Sequence, residues 1–169
     1  ILANPPFNPQ GEIDIHKGFT LNTQRAEVHF VDYINNHLTP DGKAGIIVPE
    51  GILYRKDNAY KYLRKKLLDE SLIGIISLPP GVFKPYTGQK TSILFLDKEI
   101  AKNKETIFFG EIKNDGFSLN DNRNPIDKND LPKILEALLD PNTSNDFVEE
   151  KPKSKINEHP IFSLSFITD

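Results

Sequence analysis

The sequence predicts an α/β fold built on a mixed sheet, and three observations carry that expectation. Short continuous apolar runs, Ala44 to Val48, Leu72 to Leu78 and Ile107 to Ile112, have the length and the Ile/Val/Leu content of strands buried on both faces. Stretches with a helical apolar period alternate with them. A further apolar run, Thr91 to Leu96, follows Leu72 to Leu78 across a loop opened by Pro79-Pro80-Gly81, so the two can pair antiparallel.

The elements follow in order. Ile1-Leu2-Ala3 reads as the end of a buried strand that runs straight into Asn4-Pro5-Pro6-Phe7. Neither proline has an N–H to give a ladder, and each fixes its own φ near −65°. Each also biases the residue before it toward extended geometry, so the turn is stiff. Residues 8–24 are polar and Gly/Asn-rich and predict a long irregular loop, of a size that is often functional. Residues 25–38 predict a helix with Phe30, Ile34 and Leu38 on one face and Val31 beside it, stopped by Pro40-Asp41-Gly42. After the Ala44 to Val48 strand, Asp57 is the expected cap of a second helix running to about Leu68. Its inward side is Ala59, Tyr60, Leu63 and Leu67. Its outer side carries Lys61, Arg64, Lys65 and Lys66, with Arg55 and Lys56 just upstream. Such a basic run is ordinarily a solvated helix face, and phosphate contact is the sharper, less favoured alternative. From Asn114 onward the chain turns polar, and the sheet is expected to have ended. Pro132 opens a short helix with Ile134, Leu135, Leu138 and Leu139 as its stripe. Residues 140–160 are charged and proline-interrupted, as in a linker or loose tail. Phe162, Leu164 and Phe166 alternate with serines, which leaves room for a last strand. Two regions are therefore expected, a sheet-bearing part over 1–113 and a polar extension over 114–169.

Composition narrows the function classes. Lysine and arginine number 21 against 24 aspartates and glutamates, so no basic footprint announces a nucleic-acid binder. There is no cysteine, which excludes disulfides, thiolate zinc sites and the thiol nucleophile of cytosine-C5 methylation. No apolar run approaches the roughly 18–20 residues of a membrane span. With no signal peptide visible, a cytoplasmic location is expected. The absence of methionine and the opening inside a strand suggest a segment of a longer protein.

The four residues after the first strand suit one chemistry. A planar amino group is a poor nucleophile because its lone pair is delocalised. The Asn4 side-chain oxygen and the Pro5 carbonyl can accept its two hydrogens and localise that pair, and Pro5 brings no competing backbone donor. Phe7 can stack on a flat substrate, as extruded bases are held against apolar side chains. For these four residues alone, a turn that merely ends a strand is the favoured reading.

The longer pattern resembles a known family. Asn4-Pro5-Pro6-Phe7 is followed by Gly42-Lys43-Ala44-Gly45-Ile46-Ile47-Val48-Pro49-Glu50-Gly51 and by Leu78-Pro79-Pro80-Gly81-Val82-Phe83. Then come Tyr86-Thr87-Gly88-Gln89-Lys90-Thr91-Ser92-Ile93-Leu94-Phe95 and Asp115-Gly116-Phe117-Ser118-Leu119. In this order the motifs resemble the modification (methylase) subunit of bacterial type I restriction-modification systems, an N6-adenine DNA methyltransferase family, over about residues 1–140. The resemblance implies the second half of a class I, Rossmann-like methyltransferase sheet with a carboxyl-terminal antiparallel hairpin, S-adenosyl-L-methionine as cofactor, and double-stranded DNA as substrate. It also implies partnership with a specificity subunit and a restriction subunit. Asn4, Pro5, Pro6 and Phe7 would be catalytic, with Asn4 also facing the cofactor. In that family the Gly-rich cofactor loop and the acidic residue of the cofactor site precede the Asn-Pro-Pro-Phe strand. A chain carrying only these 169 residues is therefore expected to bind the cofactor poorly and to be inactive alone. Methylation of a glutamine amide in protein, or of an amino group in RNA, uses a related motif and stays open. So does a non-catalytic DNA-clamping or assembly module.

Remaining signals are weaker. The loop Gly81 to Thr91 fails as a phosphate-binding loop, with the wrong spacing between glycines and Gln89 before Lys90. Lying above the carboxyl edge of the sheet, it is better placed to shape a base pocket, with Phe83, Tyr86 and Lys90 as the residues suspected. His16, His29, His37 and His159 lack metal-ligand spacing. Asn142-Thr143-Ser144 is formally a glycosylation acceptor, without meaning in the absence of a secretory signal.

Overall fold

The computed structural model describes residues 1–7, 21, 23–139, 147–160 and 163–164. His16, Asn142-Thr143-Ser144, Phe162, Phe166 and most of the 8–24 loop lie outside the described residues. The first half holds β1 (Leu2–Ala3), α1 (Ala26–His37), β2 (Lys43–Pro49), α2 (Gly51–Tyr54), α3 (Asn58–Glu70) and β3 (Leu72–Ser77). Then follow β4 (Thr91–Asp97), α4 (Lys98–Asn103), β5 (Thr106–Glu111), β6 (Asp115–Phe117) and β7 (Pro125–Asn129). The last elements are α5 (Leu131–Leu139), β8 (Val148–Pro152) and α6 (Lys153–Glu158).

Six strands form one mixed sheet in the order β1-β2-β4-β3-β5-β8, and β6 and β7 form a separate antiparallel pair. β1 runs parallel to β2, with Leu2 opposite Gly45 and Ala3 opposite Ile46. β4 is inserted antiparallel between β2 and β3, and β5 is parallel to β3. The expected antiparallel partner for Leu72 to Leu78 is therefore present, and β4 also divides two strands that are neighbours in sequence order.

Alternation along the strands separates two cores. Ala44, Ile46, Val48, Leu94, Leu96 and Ile75 face α1 and α3, where they meet Val28, Val31, Ile34, Tyr60, Leu63 and Leu67. On the other face Ile76, Ile93, Phe95 and Phe108 pack with Ile134 and Leu138 of α5 and with Val82 and Phe83. At Gly74 the sheet admits no side chain, because a Cβ would lie 2.1 Å from the Phe108 ring. The two residues are direct partners across β3 and β5, so the large ring occupies the space that glycine leaves.

Charged side chains join the elements at their ends. Asp97 caps α4, accepting from the backbone N–H of Glu99 at 3.0 Å and of Ile100 at 2.8 Å, and pairs with Lys43 of β2 at 2.9 Å. Burial pushes the Asp97 carboxyl up, but these backbone donors and Lys43 outweigh it and hold it below its ordinary value. Between α1 and α3, Lys66 bonds Asp32 at 2.8 Å, and Asn35 links Glu70 to Ser71.

Several expectations need correction. Phe30 is 40% exposed, because the inward arc of α1 runs through Val28, Val31, Ile34 and Asn35 instead. Arg64 is not on a solvated face but 1% exposed. It donates to the carbonyl oxygens of Ile52 and Arg55, both at 2.7 Å, and so satisfies the carboxyl end of α2. Burial lowers its guanidinium to about 10. Asp57 sits at the cap position of α3 but makes no side-chain cap bond. The sheet does not end before Asn114, since β8 adds to its edge along β5, from Thr106 opposite Pro152 to Gly110 opposite Val148. Within 140–160, residues 148–158 are strand and helix rather than loose tail. On α5 only Ile134 is buried, and Leu135 and Leu139 face solvent. Leu164 is buried, and its N–H donates to Leu53 at 2.9 Å.

Candidate active site

The site is built at one edge of the sheet, where β1, β2 and β3 end and β4 begins. β1 is held by the Gly45 N–H bond to the Ile1 carbonyl at 2.9 Å and by its register with β2. That register delivers Asn4, exposed, and Pro5, half-buried, to the carboxyl edge. Phe7 is half-buried and meets Phe83 edge to face, with ring centroids 6.2 Å apart and planes at 70°.

Phe83 comes from the loop between β3 and β4. Its base is closed by the Leu78 N–H bond to the Thr91 carbonyl at 2.9 Å. Gly81 takes φ +82°, a left-handed turn that only glycine adopts without strain, and Lys84 bonds back to its carbonyl at 3.0 Å. Phe83 then seats its ring against the second core. Tyr86 is 93% exposed and stands away from this cluster. Lys90 lies at the loop's far end, where its ammonium pairs with Glu50 at 3.1 Å. Glu50 also accepts from Ser77 Oγ at 3.2 Å, and its N–H donates to the Lys90 carbonyl at 3.0 Å. One carboxylate thus ties the ends of β2, β3 and the loop together.

Behind this edge lies a buried group that sequence reasoning passed over. Glu27 of α1 accepts a short bond from the Tyr60 hydroxyl. Burial and Glu27 together raise the Tyr60 hydroxyl well above its ordinary value. The Arg55 guanidinium sits over the Tyr60 ring at 5.7 Å. Glu27 and Glu50 carry no motif of their own, and their partners lie 33 and 27 residues away in Tyr60 and Ser77, so only the folded arrangement identifies them. Among the described residues no group of three or more His, Asp or Glu side chains is placed to hold a metal. His29 instead bonds the Thr23 carbonyl at 2.6 Å.

A mixed sheet with an antiparallel strand set between parallel ones carries the Asn4-Pro5-Pro6-Phe7 turn at its edge, and this fold matches solved type I methyltransferase subunits. The chain belongs to the N-6 DNA Methylase family, whose model matches residues 1–161. It is 39% identical over 120 residues to the type I restriction enzyme EcoEI methylase subunit of Escherichia coli, covering 69% of this chain and 24% of that protein. It is 28% identical to the MpnII methylase subunit of Mycoplasma pneumoniae, over 94% of this chain and 31% of that one. Among solved structures, the type I restriction-modification methyltransferase subunit of Streptococcus thermophilus superposes with a TM-score of 0.69 at 26% identity, over 93% of this chain and 35% of that chain. The M protein of the type I enzyme EcoKI gives 0.63 at 25% identity, over 75% and 27%. The chain thus spans less than a third of the length of the curated relatives cited.

Proposed function

We propose that this chain is the carboxyl-terminal part of the catalytic domain of a DNA adenine-N6 methyltransferase subunit of a type I restriction-modification system. The observation that carries the reading is the edge-to-face pair of Phe7 and Phe83 at the sheet edge to which β1 leads Asn4 and Pro5. An extruded adenine needs an aromatic slot and two acceptors for its exocyclic amine, all at one edge.

When bound, S-adenosylmethionine supplies a methyl group on a positively charged sulfur. The edge fits one side of that group, because Asn4 is exposed there and the outer side of β1 has no strand partner among the described residues. Asn4 Oδ1 and the Pro5 carbonyl would accept the two amine hydrogens and so localise the nitrogen lone pair for attack. Transfer of that methyl to the amine would leave positive charge on the nitrogen. The same two oxygens would stabilise that charge as hydrogen-bond acceptors, and the proton shed after transfer would pass to solvent. Phe7 and Phe83 fix the plane of the base, so alignment supplies much of the rate. Lys90, at the far end of the loop, has its charge taken up by Glu50. Double-stranded DNA is the substrate, with a specificity subunit and a restriction subunit as partners. The near-balanced charge agrees with a subunit that leaves sequence reading to a partner.

The test uses the full-length parent with its specificity partner, radiolabelled S-adenosylmethionine, and host DNA and host protein offered together. Label that is lost to nuclease and lost with Asn4→Ala is the expected result. Label that follows protease digestion moves the substrate to a glutamine amide. Cofactor binding without any transfer replaces the reading with that of an assembly module.

A further inference from the structure

The hairpin of β6 and β7 has no part in methyl transfer as proposed, yet it reaches the loop that carries Phe83. β3 and β5 are parallel neighbours, so the Phe83 loop after β3 and the hairpin after β5 leave the sheet at the same edge. Asp130 fixes the foot of the hairpin, accepting from the N–H groups of Lys113 at 3.0 Å and Asn114 at 2.7 Å. Arg123 fixes the far end. It pairs with the buried Asp115 and donates to the Ser118 carbonyl at 3.2 Å. Asn120 Oδ1 closes the turn, accepting from the N–H groups of Asn122 at 3.1 Å and Arg123 at 3.2 Å. Leu119 and Asp121 are thereby held at the tip, and both meet the Phe83 loop.

The two contacts fall on either side of Phe83 in sequence. On one side, a Cβ on Gly81 would lie 3.4 Å from the Leu119 carbonyl oxygen. On the other, Lys84 Nζ pairs with Asp121 Oδ1 at 3.2 Å. The Lys84 stem lies against Gly81 and reaches toward Gly88, since added Cβ atoms there would be 3.2 Å from its Cδ and 4.0 Å from its Cε. Its backbone N–H bonds the Gly81 carbonyl at 3.0 Å, and the Thr87 N–H bonds the carbonyl of Phe83 at 3.1 Å. We propose that Lys84 is a positioning residue, a strut through which the 115–130 hairpin holds Phe83 against Phe7. The strut follows from these contacts alone, and its effect on the base rests on the adenine-methylation reading. The paired side chains are 34% and 75% exposed, so their charges contribute no more than about fivefold to an equilibrium. The larger share comes from the stem, packed inside the turn.

Amide hydrogen exchange in the full-length subunit, without DNA, tests the strut whatever the protein methylates. Lys84→Ala is expected to speed exchange at the amides of residues 84 and 87 on the order of tenfold. Lys84→Met, which keeps the stem, should speed it by less than about fivefold. Asp121→Lys should speed it as well, and Lys84→Glu combined with Asp121→Lys should slow it again, as a restored pair does. Unchanged exchange in Lys84→Ala, or a double reversal no slower than Asp121→Lys, overturns the strut. Where Lys84→Ala reduces folding, Asp121→Lys, at an exposed position, carries the same test. The effect on the base is measured with the specificity partner present. Lys84→Ala should raise KM for DNA on the order of tenfold with kcat little changed, because Asn4 and Pro5 are untouched. A direct phosphate contact by Lys84 would instead make Asp121→Lys lower KM and leave the double reversal as poor as Lys84→Glu alone, and that result overturns the positioning role. Faster exchange with KM unchanged does the same while methyl transfer stands. Absence of transfer to DNA by the unaltered complex fails the adenine reading and leaves the exchange result to decide the strut.

Discussion

Phe7 and Phe83 are separated by 76 positions in sequence and by 6.2 Å between ring centroids in space, and each has a different support. Phe7 follows two prolines that leave it little freedom. Phe83 is seated on the second core by a loop that turns at Gly81. Phe83→Ala in the full-length subunit is therefore expected to weaken capture of the extruded base by about 1–3 kcal/mol, the usual loss for one stacking partner. A fluorescent adenine analogue at the target position measures it, and unchanged fluorescence on binding would remove Phe83 from the slot. Asn4→Ala acts on the chemistry instead, and a loss of at least about a hundredfold in kcat is expected with complex assembly intact, checked by single-turnover transfer. At this scale the sequence was partly legible. Asn4, Pro5 and Phe7 fall within four consecutive residues, and Phe83 stands in a recognisable loop, so their chemistry can be proposed from residue types. Tyr86 has the same credentials on paper but points into solvent. Glu27 and Glu50 have no local signature, because a lone glutamate on a helix or after a strand is ordinarily a surface residue.

At the scale of elements, the carboxyl end of helix α2 is held by a side chain from α3. Arg64→Met removes two donors at 2.7 Å and leaves the Ile52 and Arg55 carbonyls without them in a buried place. The expected cost is about 2–4 kcal/mol, from charge-assisted bonds lost and acceptors stranded, and urea unfolding measures it. A cost below ~0.5 kcal/mol would mean that water replaces the guanidinium. Gly74→Ala tests the sheet in the opposite way, by adding a methyl where Phe108 already stands, and should cost about 1–3 kcal/mol. Combining it with Phe108→Leu should recover part of that cost. The strands of the sheet centre were legible because burial on both faces demands continuous apolar runs. β8 was not, since Val148-Glu149-Glu150-Lys151-Pro152 is an edge strand with charged side chains and a proline, as edges commonly are. Arg64 was misplaced for a related reason: in sequence it belongs to a basic run, and only the position of α2 above it supplies carbonyls to bury it.

For the molecule as a whole, stability should decline in acid in a defined window. Asp97 and Glu150 are both held below their ordinary values of 3.8 and 4.5, the latter by bonds from the Lys104 and Thr106 side chains. A carboxylate lowered in the folded state contributes stability that is complete above its unfolded value and is lost as pH falls through the folded one. Unfolding midpoints should therefore be flat above about pH 5 and fall below pH 4, and Asp97→Asn should flatten the fall. Titration of S-adenosylmethionine into the isolated 169 residues should give no saturable heat, and micromolar binding in that experiment would place more of the cofactor site in this chain than proposed. The sheet order has a further consequence, for the time course of synthesis. β2 and β3 are never neighbours, and the strand that joins them, β4, is made last of the three. Until residue 97 has left the ribosome, β3 has no sheet partner at all. Its apolar run must wait against α3 or a chaperone, so that the centre of the sheet closes as a late, single event and not strand by strand.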